Sequence, residues 1–217
     1  MTQNRYSDAE RAAVYRAIYE RRDMRHFLSD PIDPEILTRL LDAAHHAPSV
    51  GFMQPWRFIR ITSPDLRKAI HGLVEQERIG TAKALSERED EFMKLKVEGI
   101  LECGALLVAA LCEQREQFIF GRRTMPEMDL ASLSCAIQNM WLAARAEGLG
   151  LGWVSMFEPE SLKSLLNMPK DSQPLAILCL GYVEKFYDKP MLEQQQWEER
   201  KDINTLLFEN TWNTPCR

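Results

Sequence analysis

No stretch of the 217 residues approaches the roughly 20 continuous apolar residues that a bilayer-crossing helix needs. The N-terminal MTQNRYSDAER has no apolar signal core. Cysteine is sparse: Cys103, Cys112, Cys135, Cys179 and Cys216 make an odd number with no C-x-x-C pair. Four of them sit in apolar or amphipathic stretches, where a free thiol behaves as a small hydrophobe. These absences read as inert structural thiols in a reduced, cytoplasmic and soluble protein with no membrane partner.

Chemistry-bearing motifs are also missing. The four histidines, His26, His45, His46 and His71, form no ligand set for a metal, and the adjacent His45 and His46 point apart on a helix. The net charge of -5, with dispersed positive charges, offers no basic face for a nucleic acid. There is no G-x-x-x-x-G-K-[ST] loop and no G-x-S-x-G elbow. GLGLG at 148–152 follows a helix and precedes a strand, the reverse of the order a dinucleotide fingerprint needs. Gly148 therefore reads as a helix cap, and Gly150 and Gly152 as points of close backbone approach. With these chemistries lacking their parts, a cofactor is expected to carry the hard step.

What is present fits one mixed helix-and-sheet domain, long for a single core, so that an oligomer is a reasonable expectation. Ser7 and Glu10 form an S-x-x-E capping box before a helix whose apolar side is Ala13, Val14, Ala17 and Ile18. Asp33-Pro34 opens a second helix with a stripe of Ile36, Leu37, Leu40, Leu41 and Ala44. Residues 56–61 read as a strand, and Ser63-Pro64 starts a third helix. Residues 82–98 read as a charged, mostly exposed helix. ALLVAAL at 105–111 predicts a buried strand, and 129–148 a central helix buried on several sides. A strand over 151–157, a short helix over 159–167 and a strand over 176–183 follow. Residues 184–217 form a polar tail anchored by Trp197, Leu206, Leu207, Phe208 and Trp212.

Three stretches can carry chemistry. In Arg21-Arg22-Asp23-Met24-Arg25-His26-Phe27, three arginines within five residues suit a phosphate, or a solvated basic helix end. In Pro48-Ser49-Val50-Gly51-Phe52-Met53-Gln54-Pro55-Trp56, Ser49 offers a hydroxyl, Gln54 an amide, and Gly51 lets a flat ligand approach the backbone; an ordinary helix–strand connection fits equally. In Gly150-Leu151-Gly152-Trp153-Val154-Ser155, a ligand could lie against the glycines near the Ser155 hydroxyl, or the strand could be tightly packed beside the central helix.

In this order and spacing, RRDMRHF, PSVGFMQPW and GLGLGWVS resemble the nitroreductase superfamily over nearly the whole chain. Asp23 replaces the usual Ser or Thr, and the usual Asn of the second motif is missing. Both departures, with the block MDLASLSCAIQNMWLAARAEGLGLGWVS, resemble the branch of 5,6-dimethylbenzimidazole synthases, which consume reduced FMN. The resemblance implies a nitroreductase-like α+β fold, with a mixed, mainly antiparallel sheet flanked by helices in an intertwined homodimer. Residues 184–217 would then be an extension of a single 1–217 domain, packing on the partner subunit. FMN would enter reduced, as substrate, with molecular oxygen as co-substrate and a flavin reductase as its source. Arg21, Arg22 and Arg25, completed by Arg200, would hold the phosphate and ring edge. Met24, Ser49, Gly51, Gln54, Gly152 and Trp153 would line the flavin, as would Met93 and Lys96 from a lid-like 82–98 segment. Asp23 and Ser155 would carry the distinctive chemistry. The alternative on the same fold is an NAD(P)H-dependent FMN nitroreductase or related flavin oxidoreductase.

Overall fold

A computed structural model describes residues 4–212 and 214 and divides the chain into two compact units, Met1–Phe186 and Tyr187–Arg217. In the first unit, Ser7 caps α1 (Asp8–Glu20): its hydroxyl accepts from the Glu10 amide at 3.3 Å, and the Glu10 carboxylate accepts from the Ser7 amide at 2.8 Å. This is the reciprocal capping box that the sequence spells. Yet α1 buries none of its residues in this chain; Val14 and Ile18 on its apolar side are exposed. Asp33 caps α2 (Pro34–His45) by accepting from the Glu35 amide at 2.8 Å, with Pro34 in the first turn, where its missing N–H costs nothing.

The sheet has four strands, β1 (Trp56–Ile61), β2 (Ala105–Leu111), β3 (Gly150–Val154) and β4 (Gln173–Gly181), in the order β1-β2-β4-β3. Every adjacent pair is antiparallel. The parallel contribution is an isolated bridge between Asp23 and Leu151, on the side of β3 away from β4. All seven residues of β2 are buried. Such unbroken apolar strands are usual in parallel sheets. An antiparallel strand carries one here because helices cover both faces. On one side α2 and α5 (Met128–Ala146) bring Leu40, Leu133, Ile137 and Met140 against Leu107 and Leu178. On the other, α3 (Pro64–Leu85) and α6 (Pro159–Leu165) bring Ile70, Val74 and Leu162 against Leu106, Val108 and Ile177. α5 ends in a Schellman arrangement: Gly148 at φ +79°, Leu149 N–H donating to Ala144 O at 2.8 Å and Gly148 N–H to Arg145 O at 3.2 Å.

Two expectations need correction. Residues 82–98 are not one exposed helix. α3 runs to Leu85, Ser86 takes φ +52°, and a 3-10 turn leads into α4 (Glu89–Met93), after which the helix stops. Phe92 and Leu95 are buried, which a straight exposed helix would forbid, so the chain doubles back onto α3. Arg78 on α3 secures the return by donating to Met93 O at 2.7 Å and Leu95 O at 3.1 Å. The strand expected over 151–157 ends at Val154; Ser155 is exposed, and Phe157 turns into the second core.

The second unit begins at Tyr187, close to the expected start of the tail. It holds the short α7 (Met191–Gln194) and a 3-10 turn at Ile203–Thr205 that Asp202 caps by accepting from Asn204 N at 3.0 Å. Phe208 and Trp212 stack at 5.6 Å, and Ile203, Leu206 and Leu207 are exposed. Among the described residues, no helix is long and apolar enough to cross a membrane.

Candidate functional site

The site grows from the end of α1. Arg21 leaves the helix in an extended conformation, and the chain turns onto the outer edge of β3. Met24 N–H donates to Leu151 O at 3.0 Å, and the Met24 side chain is 1% exposed, so burial and a backbone bond together hold residues 23–25 beside the strand. The glycines of β3 make this approach possible. A Cβ on Gly150 would meet Met24 Cγ at 3.0 Å. A Cβ on Gly152 would overlap Met24 O and lie 2.9 Å from Arg25 Nη1. The space beside Gly152 is thus filled by the chain itself.

Asp23 and Arg25, two residues apart on an extended segment, face the same way. Arg25 grips the Asp23 carboxylate through both terminal nitrogens, Nη2 donating to Oδ2 at 2.7 Å and Nη1 to Oδ1. The same guanidinium donates to Trp153 O at 3.0 Å and Met24 O at 3.1 Å. The Trp153 amide donates to Asp23 Oδ1 at 2.9 Å. Asp23 is therefore oriented by a planar, two-pronged clamp and a backbone donor while its side chain stays 42% exposed. Arg25 is turned inward onto this carboxylate, which separates it from Arg21 and Arg22. The D-x-R alternation was the signal for that pairing in the sequence.

Arg21 lies 4.6 Å over the Trp141 ring, an arrangement that fixes a guanidinium by its attraction to the π face. Trp141 Nε1 donates to Arg22 O at 3.1 Å, and Arg22 Nη1 donates to Tyr19 O at 2.7 Å and Arg21 O at 2.8 Å. α5 thereby sets the position of both arginines. Trp141 was legible as core but not as their support.

The second motif is a tight loop. Ser49 Oγ accepts from the Gln54 amide at 3.1 Å, closing it. Gly51, Phe52 and Gln54 all take positive φ. At Gly51 the reason is close approach: a Cβ would meet Phe120 O at 2.8 Å. Ser132 on α5 was not anticipated. It is buried, accepts from Val50 N–H at 3.0 Å and donates to Met128 O at 2.6 Å, tying the loop to the central helix. A polar residue at a buried helical position was the available signal.

Ser155 stands exposed just past β3, two residues from Trp153. Met93 O accepts from Arg78, and Lys96 Nζ donates to Glu102 Oε1 at 2.6 Å. The segment they belong to meets the first motif at Gly99, where a Cβ would lie 2.9 Å from Arg25 O and would overlap the Phe27 ring. Arg200 is an exposed residue of the second unit. Cys103, Cys112 and Cys179 are buried, Cys135 is exposed, and Cys216 lies outside the described residues. The hydrogen bond with Cys103, then full burial, pushes the Cys179 thiol well above its usual range, away from the reactive thiolate.

The chain is 40% identical over 184 residues to the 5,6-dimethylbenzimidazole synthase of Rhodospirillum rubrum, covering 83% of this chain and 87% of that one. It is 38% identical over 198 residues to the enzyme of the same name from Rhodobacter capsulatus, covering 89% and 95%. A crystal structure of a BluB-like flavoprotein from Clostridium difficile 630 superposes with a TM-score of 0.70 at 18% identity, covering 91% of this chain and 99% of that one, which is a likeness of fold. The Nitroreductase family profile matches residues 18–182, a span holding all three motifs and the whole sheet, and this chain belongs to that family, with its nitroreductase-like fold.

Proposed function

We propose that this protein is a 5,6-dimethylbenzimidazole synthase, fragmenting reduced FMN with molecular oxygen into 5,6-dimethylbenzimidazole, the lower ligand of cobalamin, erythrose 4-phosphate and the oxygenated pyrimidine ring of the flavin. The observation that carries the reading is Asp23, a carboxylate clamped by Arg25 and the Trp153 amide, in a chain 40% identical to a synthase of that name. The donor set fits a phosphorylated flavin. Guanidinium groups at Arg21 and Arg22 suit a phosphate. The Ser49 hydroxyl and Gln54 amide suit the polar edge of the ring. Met93, Lys96 and the backbone at Met24, Gly51, Gly152 and Trp153 complete the proposed lining.

Reduced FMN supplies the electrons for oxygen and is itself the carbon skeleton that becomes product. The reaction requires protons to move between carbon, nitrogen and oxygen. Asp23 takes up and returns them as general base and acid, and its fixed orientation saves the entropy of finding the reacting atom. Arg25 keeps the carboxylate pointed. The Ser155 hydroxyl donates a hydrogen bond or relays a proton from the exposed end of β3.

The working form is a homodimer. α1 buries nothing within its own chain, and Ile203, Leu206, Leu207 and Trp212 of the tail are exposed; apolar surface of this kind supports a partner subunit. A cytoplasmic flavin reductase supplies the reduced FMN.

Purified protein given reduced FMN and air should yield 5,6-dimethylbenzimidazole by mass spectrometry. Asp23→Asn should keep flavin affinity and lose the product. Product at wild-type yield from Asp23→Asn removes Asp23 from the chemistry. Rapid NAD(P)H oxidation with all flavin recovered intact would replace the reading with a nitroreductase.

A further inference from the structure

Away from the flavin motifs, on the sheet face covered by α3, three metal-ligating side chains converge. His71 and Glu75 stand one turn apart on α3, the spacing that puts two side chains on one helix face. Glu98 arrives from the segment that precedes β2. One ligand atom from each of the three lies within 4.8 Å of the other two.

Glu98 is the unusual member. It is 9% exposed, and its Oε2 accepts from the Ile100 amide at 2.5 Å. Its Oε1 points at His71 Nε2, 3.7 Å away, beyond hydrogen-bond distance. Among the described residues, no lysine or arginine forms a salt bridge with Glu98. Withdrawing a carboxylate this far from water is costly unless a charge compensates it. A cation shared by Glu98 and His71 supplies that charge. Glu75, at the more open side of the cluster, meets Arg78 Nη1 at 3.3 and 3.4 Å, while Arg78 Nη2 is held by the carbonyls of Met93 and Leu95. Glu75 can exchange this loose pair for a metal without displacing the bonds that anchor Arg78.

The donor set selects the ion. One imidazole nitrogen with two carboxylate oxygens suits a borderline first-row divalent cation better than calcium or magnesium, which prefer all-oxygen shells. Zinc bonds of about 2.0–2.2 Å put neighbouring tetrahedral ligand atoms roughly 3.4 Å apart. The 3.7 Å between His71 and Glu98 is within a small side-chain movement of that spacing.

We propose that His71, Glu75 and Glu98 bind a zinc-like divalent cation that clips the 94–100 segment to α3. Water completes the fourth position. The clip acts on Gly99, the next residue, which rests against Arg25 O and the Phe27 ring. The ion thus braces the backbone that carries the Asp23 clamp.

The test uses the full chain without a histidine tag, stripped with a chelator, in a Cys135→Ser background that removes the exposed thiol. Zinc is titrated in competition with a chromophoric chelator. One equivalent should bind and raise the thermal midpoint. His71→Ala and Glu75→Gln, both at positions less buried than Glu98, should each lose that equivalent and the thermal shift while keeping wild-type far-UV circular dichroism. X-ray absorption at the zinc edge should show a nitrogen and oxygen shell with imidazole scattering. No bound equivalent in the parent protein, an undiminished equivalent in both variants, or a sulfur shell would each overturn the proposal.

Discussion

Gly152→Ala is the sharpest probe of the architecture around Asp23. The added methyl would overlap Met24 O and sit 2.9 Å from Arg25 Nη1. Neither neighbour can swing aside cheaply. Met24 O belongs to a backbone pinned by the Met24 N–H bond to Leu151 O, and Arg25 is held by Asp23 and Trp153 O. Relief requires residues 23–25 to move off β3. Overpacking of this kind costs about 1–3 kcal/mol. Weakening the Trp153 N–H bond to Asp23 adds about 1 kcal/mol, somewhat less because the carboxylate is partly exposed. A total of about 2–4 kcal/mol should lower the melting temperature of a protein this size by about 4–16 °C. Gly148→Ala is the control. Its Cβ would meet nothing within 4 Å, so only the strain of φ +79° remains, about 1–2 kcal/mol. Calorimetry of both variants beside the parent gives the two shifts, and product yield per bound flavin gives the effect on the site. Gly148→Ala should retain yield and Gly152→Ala should lose it. Equal melting temperatures for Gly152→Ala and the parent, with unchanged yield, would refute the claim that residues 23–25 are packed against β3.

Asp129 is buried between Arg115 Nε at 2.8 Å and Arg122 Nη2 at 3.1 Å, so Asp129→Ala takes the shared carboxylate from both, leaves Arg122 the exposed Glu116 at 3.4 Å, and should cost about 3–5 kcal/mol by denaturant unfolding; a loss under 1 kcal/mol would count against the network. Ser132→Ala leaves the Val50 amide without its hydroxyl partner, costs about 1–3 kcal/mol, and should speed hydrogen exchange at Val50; unchanged exchange would remove Ser132 as the anchor of the 49–54 loop. Arg25→Lys keeps the charge but loses the fork, so turnover should fall more than flavin affinity, whereas a phosphate ligand at position 25 would show the opposite split in fluorescence titration and product assays.

Local signals read well where one local interaction decides. The capping box at Ser7, the Asp33-Pro34 start and the Gly148 stop were all written in residues that touch each other. The 82–98 segment was misread because its course depends on Phe92 and Leu95 finding cover on α3, a tertiary gain that overrides helix-forming charged residues. The three motifs marked stretches that the fold holds beside β3 and α5. The D-x-R alternation signalled the Asp23–Arg25 pair, whereas its seat against β3 was hidden, since that strand lies far along the sequence. His71 and Glu98 are separated in the same way, so neither spacing nor composition could join them. Gly152 read equally as room for a ligand and as tight packing, because a glycine in a strand does not announce which neighbour needs the space.

The segment carrying Asp23 also lies along the outer edge of β3, where the backbone of a terminal strand would otherwise invite another chain to pair with it. Residues 23–25 occupy that margin with a buried methionine and a paired charge. Variation at Asp23 is therefore constrained by colloidal behaviour as well as by the proposed reaction. A substitution that loosens the segment should leave a protein prone to associate through β3 as well as one that turns over poorly, and soluble yield on expression is a property of the same few residues that make the site.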